Sequence, residues 1–250
     1  NEALVKNLQL NQSLKDLQTL LTDLQDSEQD AVLRLSENTQ EQISGMEKII
    51  KLSGLDIKKV LKAANKPHPT GQGGPFIPVT SKGLPGANLK ANLNNLDAML
   101  DHSKDLQEIM QQLPLVAPLK SYYVTSRFGK RRDPINKRWA AHYGLDLGSP
   151  FKSAVYLTAP GVVTFVGWKG NFGRLVEVTH GSGIKTRYGH LHKTLVKRGQ
   201  KVKFQHKIGL LGSTGRSTGA HLHYEVLFNN KTINPMKFIK AGRYVFQDKQ

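Results

Sequence analysis

Apolar residues recur at helical spacing over the first fifty positions of the chain. Five leucines alternate spacings of four and three residues, the heptad pattern of a coiled-coil seam: Leu10, Leu14, Leu17, Leu21 and Leu24. Glu28 and Asn38 interrupt the seam, and a second apolar stripe then runs to Leu52, just before the stop signal Gly54. The pattern predicts a long helical arm. Two interpretations remain open: a coiled coil that binds another helix, or a helical hairpin folded on its own domain.

Two further helices are predicted, one on each side of a segment rich in proline and glycine. Residues 55–61 suit a short helix, because Asp56 lies near its start and lysines lie towards its end. Residues 87–112 carry leucines at helical spacing, and this helix is able to pair antiparallel with the first. Between them, residues 63–87 have the composition of a linker. A second interpretation is that this extended segment mimics a peptide and lies as a plug in a binding groove.

The second half of the chain has the pattern of a β-sheet domain. Six short runs of valines and aromatic residues are separated by turn residues: 154–157, 161–168, 175–179, 185–188, 207–211 and 221–228. They predict a mostly antiparallel sheet. The expected fold class is therefore α+β, with a helical N-terminal region of coiled-coil or hairpin type. The predicted parts are a helical arm (1–62), a linker (63–87), a helix and connector (88–117) and the β domain (118–243).

Charge is divided sharply between the two halves. Residues 1–117 carry 12 basic and 14 acidic side chains, whereas residues 118–250 carry 24 and 5. The basic β domain is therefore expected to attract a polyanion. Its lysines and arginines are scattered over predicted loops and form no recognisable nucleic-acid-binding motif, so we expect no nucleic-acid partner.

The composition also limits the chemistry and the compartment. The chain contains no cysteine, which excludes disulfides, thiolate metal ligands and a thiol nucleophile. No apolar run approaches the roughly 18 residues of a membrane span, and no signal peptide is visible. If the protein is exported, its export signal or membrane anchor is absent from this chain.

Three short segments of the β domain concentrate histidine with one aspartate. They supply the imidazole and carboxylate groups that zinc prefers: His142, Asp146, His190, His221 and His223. An extended strand would place His142 and Asp146 on one face, since they are two alternations apart. The same period places His221 and His223 together and turns Leu222, Tyr224 and Val226 to the opposite face. The pattern predicts a metal ion held between strands.

The remaining histidines are better explained without a metal. His192 is the only plausible rival, because it shares a face with His190 if that strand continues. His180 lies in a turn signal and His206 lies among lysines. His68 and His102 fall outside the predicted domain.

From about residue 122 to residue 239 the sequence resembles the lysostaphin/LytM-type zinc peptidases, which cut the peptide part of bacterial peptidoglycan. The resemblance rests on segments that occur in the family's order and spacing: 126–131 (SRFGKR) with 133–134 (DP), 142–146 (HYGLD), 159–163 (APGVV), 170–173 (GNFG), 180–181 (HG), 188–191 (YGHL), 199–202 (GQKV), 212–219 (GSTGRSTG), 221–226 (HLHYEV) and 234–235 (NP). It covers about half of the chain and says little about the rest.

The resemblance implies a specific site. His142, Asp146 and His223 would bind one zinc ion, and the fourth position would hold the water that acts as nucleophile. His190 and His221 would be the two unligated catalytic histidines, with their individual roles left open. Arg216, Ser217 and Thr218, just before the HxH strand, are expected to form a wall of the substrate groove, and Asn171 with Phe172 another.

Together these inferences predict a zinc endopeptidase that hydrolyses cross-links or stem peptides of peptidoglycan. The alternative is a non-catalytic wall-binding regulator that activates another hydrolase through its arm. The expected partners are peptidoglycan and, through the arm, a membrane-associated or divisome protein or a second copy of the chain. The expected location is the periplasm or the cell envelope.

Overall fold

The computed structural model describes residues 2–64, 87–132 and 137–247. Four α-helices lie in these ranges: α1 (Glu2–Leu52), α2 (Ile57–Ala64), α3 (Ala87–Gln112) and α4 (Pro235–Gln247). The first three were predicted from the sequence and the fourth was not. The predicted linker and groove plug lies outside the described residues, apart from its first two residues and its last.

The described residues divide into two compact units, one with residues 2–44 and 87–104 and the other with the rest. The first unit is helical. Its seam leucines are largely exposed, from 51% at Leu14 to 63% at Leu17, whereas Ile43 and Leu96 are buried. Within the described ranges, no helix is both long and apolar enough to cross a membrane.

The second unit begins with the last two turns of α1, and the end of that helix is well defined. Gly54 has a φ of 81°, the left-handed conformation that favours glycine. Its amide donates to the carbonyl of Lys51 (2.9 Å), and the amide of Leu55 donates to that of Ile50 (3.3 Å). These are the two bonds of a Schellman motif. Asp56 then caps α2 by accepting from the amide of Lys59 at 3.0 Å.

The described part of this unit also contains the end of α3, all of α4 and thirteen strands. The strands are β1 (Tyr123–Ser126), β2 (Gly129–Arg132), β3 (Trp139–His142), β4 (Leu145–Gly148), β5 (Ala154–Tyr156), β6 (Gly161–Trp168), β7 (Arg174–Gly181), β8 (Ile184–Gly189), β9 (Leu191–Thr194), β10 (Lys201–Val202), β11 (Lys207–Leu211), β12 (His221–Phe228) and β13 (Lys231–Ile233). The main sheet has the order β1-β4-β12-β8-β7-β6-β10, and β13 pairs with β12. Two smaller sheets have the orders β5-β11-β9 and β2-β3. Every pairing is antiparallel. The α+β class, with a helical N-terminal region and an antiparallel sheet domain, is confirmed.

Strand β12 separates the core from the opposite face of the main sheet. Leu222, Tyr224 and Val226 are fully buried, as their predicted common face requires. Tyr224 lies opposite Tyr188 of β8, and the hydroxyls of both tyrosines lie 2.9 Å from Thr158 Oγ1. The core therefore holds the centre of the sheet by packing and hydrogen bonds. The alternate residues of β12 point to the other face, where the candidate site lies.

Candidate metal centre

Three strands bring the predicted metal ligands together. His142 ends β3, Asp146 lies in β4 and His223 lies in β12, directly opposite Asp146. Asp146 Oδ1 lies 3.1 Å from His142 Nε2 and 2.8 Å from His223 Nδ1, and the two nitrogens are 3.2 Å apart. All three residues are buried. They are the one group in the described ranges whose histidine and acidic side chains are arranged to hold a metal ion.

The prediction that His142 and Asp146 share one strand is wrong. The chain leaves β3 at Tyr143, and β3 and β4 belong to different sheets. Gly144 lies in this turn, where a Cβ atom would come within 2.5 Å of the His223 imidazole and 2.9 Å of the Tyr224 carbonyl oxygen. Glycine is therefore needed for close approach to a ligand, a constraint that the strand interpretation did not include.

The three donor atoms fit a small divalent cation. Zinc bound tetrahedrally, with bonds of about 2.0–2.1 Å, separates its ligand atoms by about 3.3 Å, close to the distances observed. His142 Nδ1 lies 2.8 Å from the carbonyl oxygen of Arg127, which only accepts, so Nδ1 carries the proton of a neutral ring. His142 Nε2 and Asp146 Oδ1 therefore direct lone pairs towards the same point. A cation stabilises that arrangement, and nitrogen and carboxylate donors are those that zinc takes.

Neighbouring side chains shift the pKa values of Asp146 and His223. Burial alone would raise the pKa of Asp146, but the neighbouring imidazoles of His142 and His223 outweigh it and hold that pKa far below its usual range. Burial alone would lower the pKa of His223, but its hydrogen bonds to Asp146 and Glu225 raise that pKa to about 9. Both shifts share one cause, the short contact between Asp146 Oδ1 and His223 Nδ1 at 2.8 Å.

The two predicted catalytic histidines flank the ligands. The ring centroids of His190 and His221 are 4.7 Å apart, and His221 Nε2 lies 3.9 Å from Asp146 Oδ1. His190 Nδ1 donates to the carbonyl of Thr214 (2.7 Å) and His221 Nδ1 to that of Gly219 (2.9 Å). Both rings therefore keep Nε2 as the nitrogen available for proton transfer.

His190 has a backbone conformation that residues other than glycine rarely adopt. It follows β8 with a φ of 59°, and its amide donates to the carbonyl of Phe172 at 2.7 Å. Burial and the nearby ring of His221 lower the pKa of His190 to about 4, so the ring is neutral near pH 7. A strained backbone and a buried, neutral imidazole are features of functional positions.

A cavity of about 630 Å³ opens beside these histidines. All five predicted groove residues line it: Asn171, Phe172, Arg216, Ser217 and Thr218. The Arg216 amide donates to the Asn171 carbonyl at 2.9 Å, which joins the two predicted walls. Gly173 and Gly215 have φ of 63° and 74°, and a Cβ on either would clash with the backbone of the other loop. The roles of these residues in binding stay predictions.

The other histidines have structural surroundings. His192 lies in β9, in a different sheet from β8, and its ring centroid is 5.0 Å from that of Phe151. His192 was a rival metal ligand only if one strand continued from His190, and no such continuous strand is present there. His180 is buried between the carbonyl of Pro160 (2.8 Å) and Thr186 Oγ1 (2.7 Å), and burial lowers its pKa to about 4. His206 is exposed, and His68 lies outside the described residues.

Sequence reasoning missed four charged residues near the ligands. Glu225 accepts a hydrogen bond from His223, and Arg131 Nη2 lies 3.4 Å from Asp146 Oδ2. Arg187 and Glu177 continue from Glu225 across the sheet. Period two along HLHYE places Glu225 on the ligand face and was a usable signal. The other three depend on strand register, which the sequence did not specify.

The chain is similar in sequence to known proteins over part of its length. Residues 140–235 match peptidase family M23. The chain is 39% identical over 154 residues to the peptidoglycan DD-endopeptidase ShyA of Vibrio cholerae, covering 61% of this chain and 35% of that protein. It is 41% identical over 121 residues to the DD-carboxypeptidase/endopeptidase Mpg of Neisseria meningitidis, covering 48% and 28%. The crystallised catalytic domain of lysostaphin from Staphylococcus simulans is 31% identical, with a TM-score of 0.45, over 48% of this chain and 92% of that domain.

Through its C-terminal domain, the chain belongs to peptidase family M23. It is homologous to ShyA over 154 residues and to Mpg over 121 residues. The chain spans about a third or less of the length of these two relatives.

Proposed function

We propose that the protein is a zinc-dependent endopeptidase that hydrolyses peptide cross-links or stem peptides of bacterial peptidoglycan. The convergence of His142, Asp146 and His223 beside two further histidines carries the proposal. Three protein ligands leave a position open, as in catalytic rather than structural zinc sites. The names of the relatives supply the substrate class.

The chain's own residues divide the chemistry of peptide hydrolysis. A bound zinc ion would supply Lewis acidity, lowering the pKa of a water molecule and polarising a carbonyl group. The Nε2 atoms of His190 and His221 are free to take the proton of the attacking water and to stabilise or protonate the reacting peptide group. Hydrogen bonds from Nδ1 to backbone carbonyls fix the orientation of both rings.

The groove residues are suited to an extended, negatively charged peptide. Asn171, Arg216, Ser217 and Thr218 line the cavity with polar side chains, one of them positively charged. The positive charge of residues 118–250 favours stem peptides, which carry free carboxylates. We therefore propose the periplasm or another part of the cell envelope as its location, because peptidoglycan lies there.

The proposal is tested by digesting purified sacculi and identifying the released fragments by mass spectrometry. We expect the wild-type chain to remove cross-linked species and His223→Ala to release nothing and to lose zinc. His206→Ala replaces an exposed histidine and is the matched control, with activity like the wild type. Full zinc occupancy in His223→Ala would contradict the ligand assignment.

The same digest separates the enzyme from the alternative, a non-catalytic regulator. A regulator would leave sacculi intact even when the chain has zinc bound. It would act only when another hydrolase is added. We expect activity without any added hydrolase.

A further inference from the structure

A row of three charged residues crosses the main sheet next to the candidate metal centre. Arg187 of β8 lies directly opposite Glu225 of β12 on one side and Glu177 of β7 on the other. Arg187 Nε donates to Glu177 Oε2 at 2.7 Å, and Arg187 Nη1 donates to Glu225 Oε2 at 3.2 Å. The row reaches His223, because Glu225 is two residues further along the same face of β12.

Glu225 is the most deeply placed member of the row, with a side chain only 3% exposed. A buried carboxylate is costly unless its oxygens are paired. Both oxygens are paired here: Oε2 with Arg187, and Oε1 with His223 Nε2 at 3.1 Å. The glutamate side chain is thus held in one orientation between a cation and an imidazole.

We propose that Glu225 is a positioning residue that fixes which nitrogen of His223 faces the metal. The inference rests on the proposed zinc site. A carboxylate only accepts hydrogen bonds, so Nε2 of His223 carries the proton in the hydrogen bond to Glu225. In the neutral ring the lone pair is then on Nδ1, the atom that faces Asp146 and His142.

Arg187 and Glu177 position Glu225 in turn. Glu177 binds Nε of Arg187, which leaves Nη1 directed at Glu225. Two carboxylates and one guanidinium give the row a net charge of −1. With Asp146 it offsets the two positive charges of a zinc ion, although the ligands themselves contribute only one negative charge. Arg131, beside Asp146, adds a positive charge at the edge of the cavity.

The test measures zinc binding in the full chain by competition with a chelator, without substrate. We expect Glu225→Ala to weaken zinc affinity by roughly 10- to 100-fold, the usual cost of losing a partner of a metal-bound histidine. Glu225→Gln keeps an acceptor oxygen and should lose less. Glu177→Gln is the charge-matched comparison for Glu225→Gln, because both remove one negative charge from the row. Only Glu225→Gln alters the bond with His223, so Glu177→Gln should lose less zinc affinity than Glu225→Gln.

A spectroscopic measurement reports the tautomer directly. In the zinc-loaded wild type, ¹⁵N NMR should show the His223 proton on Nε2 and slow exchange of that proton with water. In Glu225→Ala the exchange should be faster. Wild-type affinity in Glu225→Ala, or an equal loss in Glu177→Gln and Glu225→Gln, would overturn the proposal. Since no peptide is cleaved in either measurement, a failure of the proposed peptidase activity would be seen separately, in the sacculus digest.

Discussion

At Gly144 the backbone passes so close to a ligand that only a hydrogen atom fits between them. The position that a Cβ would take is 2.7 Å from Nε2 of His223. That nitrogen also binds Glu225, so the ring has little freedom to move aside. The geometry of the candidate metal site therefore depends on the absence of a side chain at this position.

We predict that Gly144→Ala weakens zinc affinity by about tenfold or more, because the added methyl displaces His223. Overpacking should also lower the free energy of unfolding by about 1–3 kcal/mol. Chelator competition and denaturant unfolding measure the two effects. In the control Gly45→Ala the new Cβ meets no atom within 4 Å, so zinc affinity should not change. Wild-type affinity in Gly144→Ala would contradict the close approach.

Individual residues of the site were predictable from the sequence to different degrees. His142, Asp146 and His223 were named from family resemblance, and their ligand atoms do converge. The partners that orient them were not predictable in the same way. Arg187 reaches Glu225 only because β8 and β12 pair in one particular register. A backbone carbonyl such as that of Thr214 leaves no mark in side-chain patterns.

At the level of elements, the long helix α1 carries an unusual excess of exposed leucine. Two seam residues, Leu17 and Leu21, are 63% and 57% exposed. Exposed leucines at coiled-coil spacing are stabilised when they pack against another helix, because their apolar surface is then removed from water. The coiled-coil prediction for α1 therefore has a direct test.

We predict that the chain self-associates through this seam and that Leu17→Asp with Leu21→Asp abolishes the association. Sedimentation velocity over a concentration series measures it. Leu33→Asp is the control, since Leu33 is 51% exposed but lies off the seam. Substitutions at these exposed positions should change the free energy of unfolding of the monomer by only about 0.5 kcal/mol each. A monomeric wild type at every concentration would contradict the prediction.

Long elements with a regular pattern were predicted best. The bounds of α3, β6, β11 and β12 agree with the expected runs. The short strands β1 and β2 were missed, because a run of four residues is too short to show a clear period. Helix α4 had a usable signal: Pro235 starts the helix, and Asn234 Oδ1 accepts from the amide of Met236 at 3.0 Å.

For the whole molecule, the open question is whether residues 63–87 are a linker or a plug in the groove. Deleting residues 1–87 would not answer it. That deletion removes Ile50 and Val60, which are fully buried in the unit that contains the metal site. Loss of activity would then report unfolding, since large buried apolar residues contribute several kcal/mol.

Replacing residues 66–86 with a Gly/Ser sequence of equal length keeps both helices that flank the segment. The plug interpretation predicts that the rate of sacculus digestion rises, because the groove is no longer occupied. The linker interpretation predicts an unchanged rate. The same replacement in His223→Ala is the control and should be inactive. We expect the unchanged rate, and a higher rate would establish the plug.

Three imidazoles of the site are oriented by main-chain carbonyls, at Arg127, Thr214 and Gly219. Every amino acid carries that carbonyl, so a codon change at Arg127 leaves the acceptor of His142 in place. Over evolutionary time, the orientation of these rings is protected from most single substitutions. Substitutions that disturb the site are instead those of the glycines that shape the loops, such as Gly173 and Gly215.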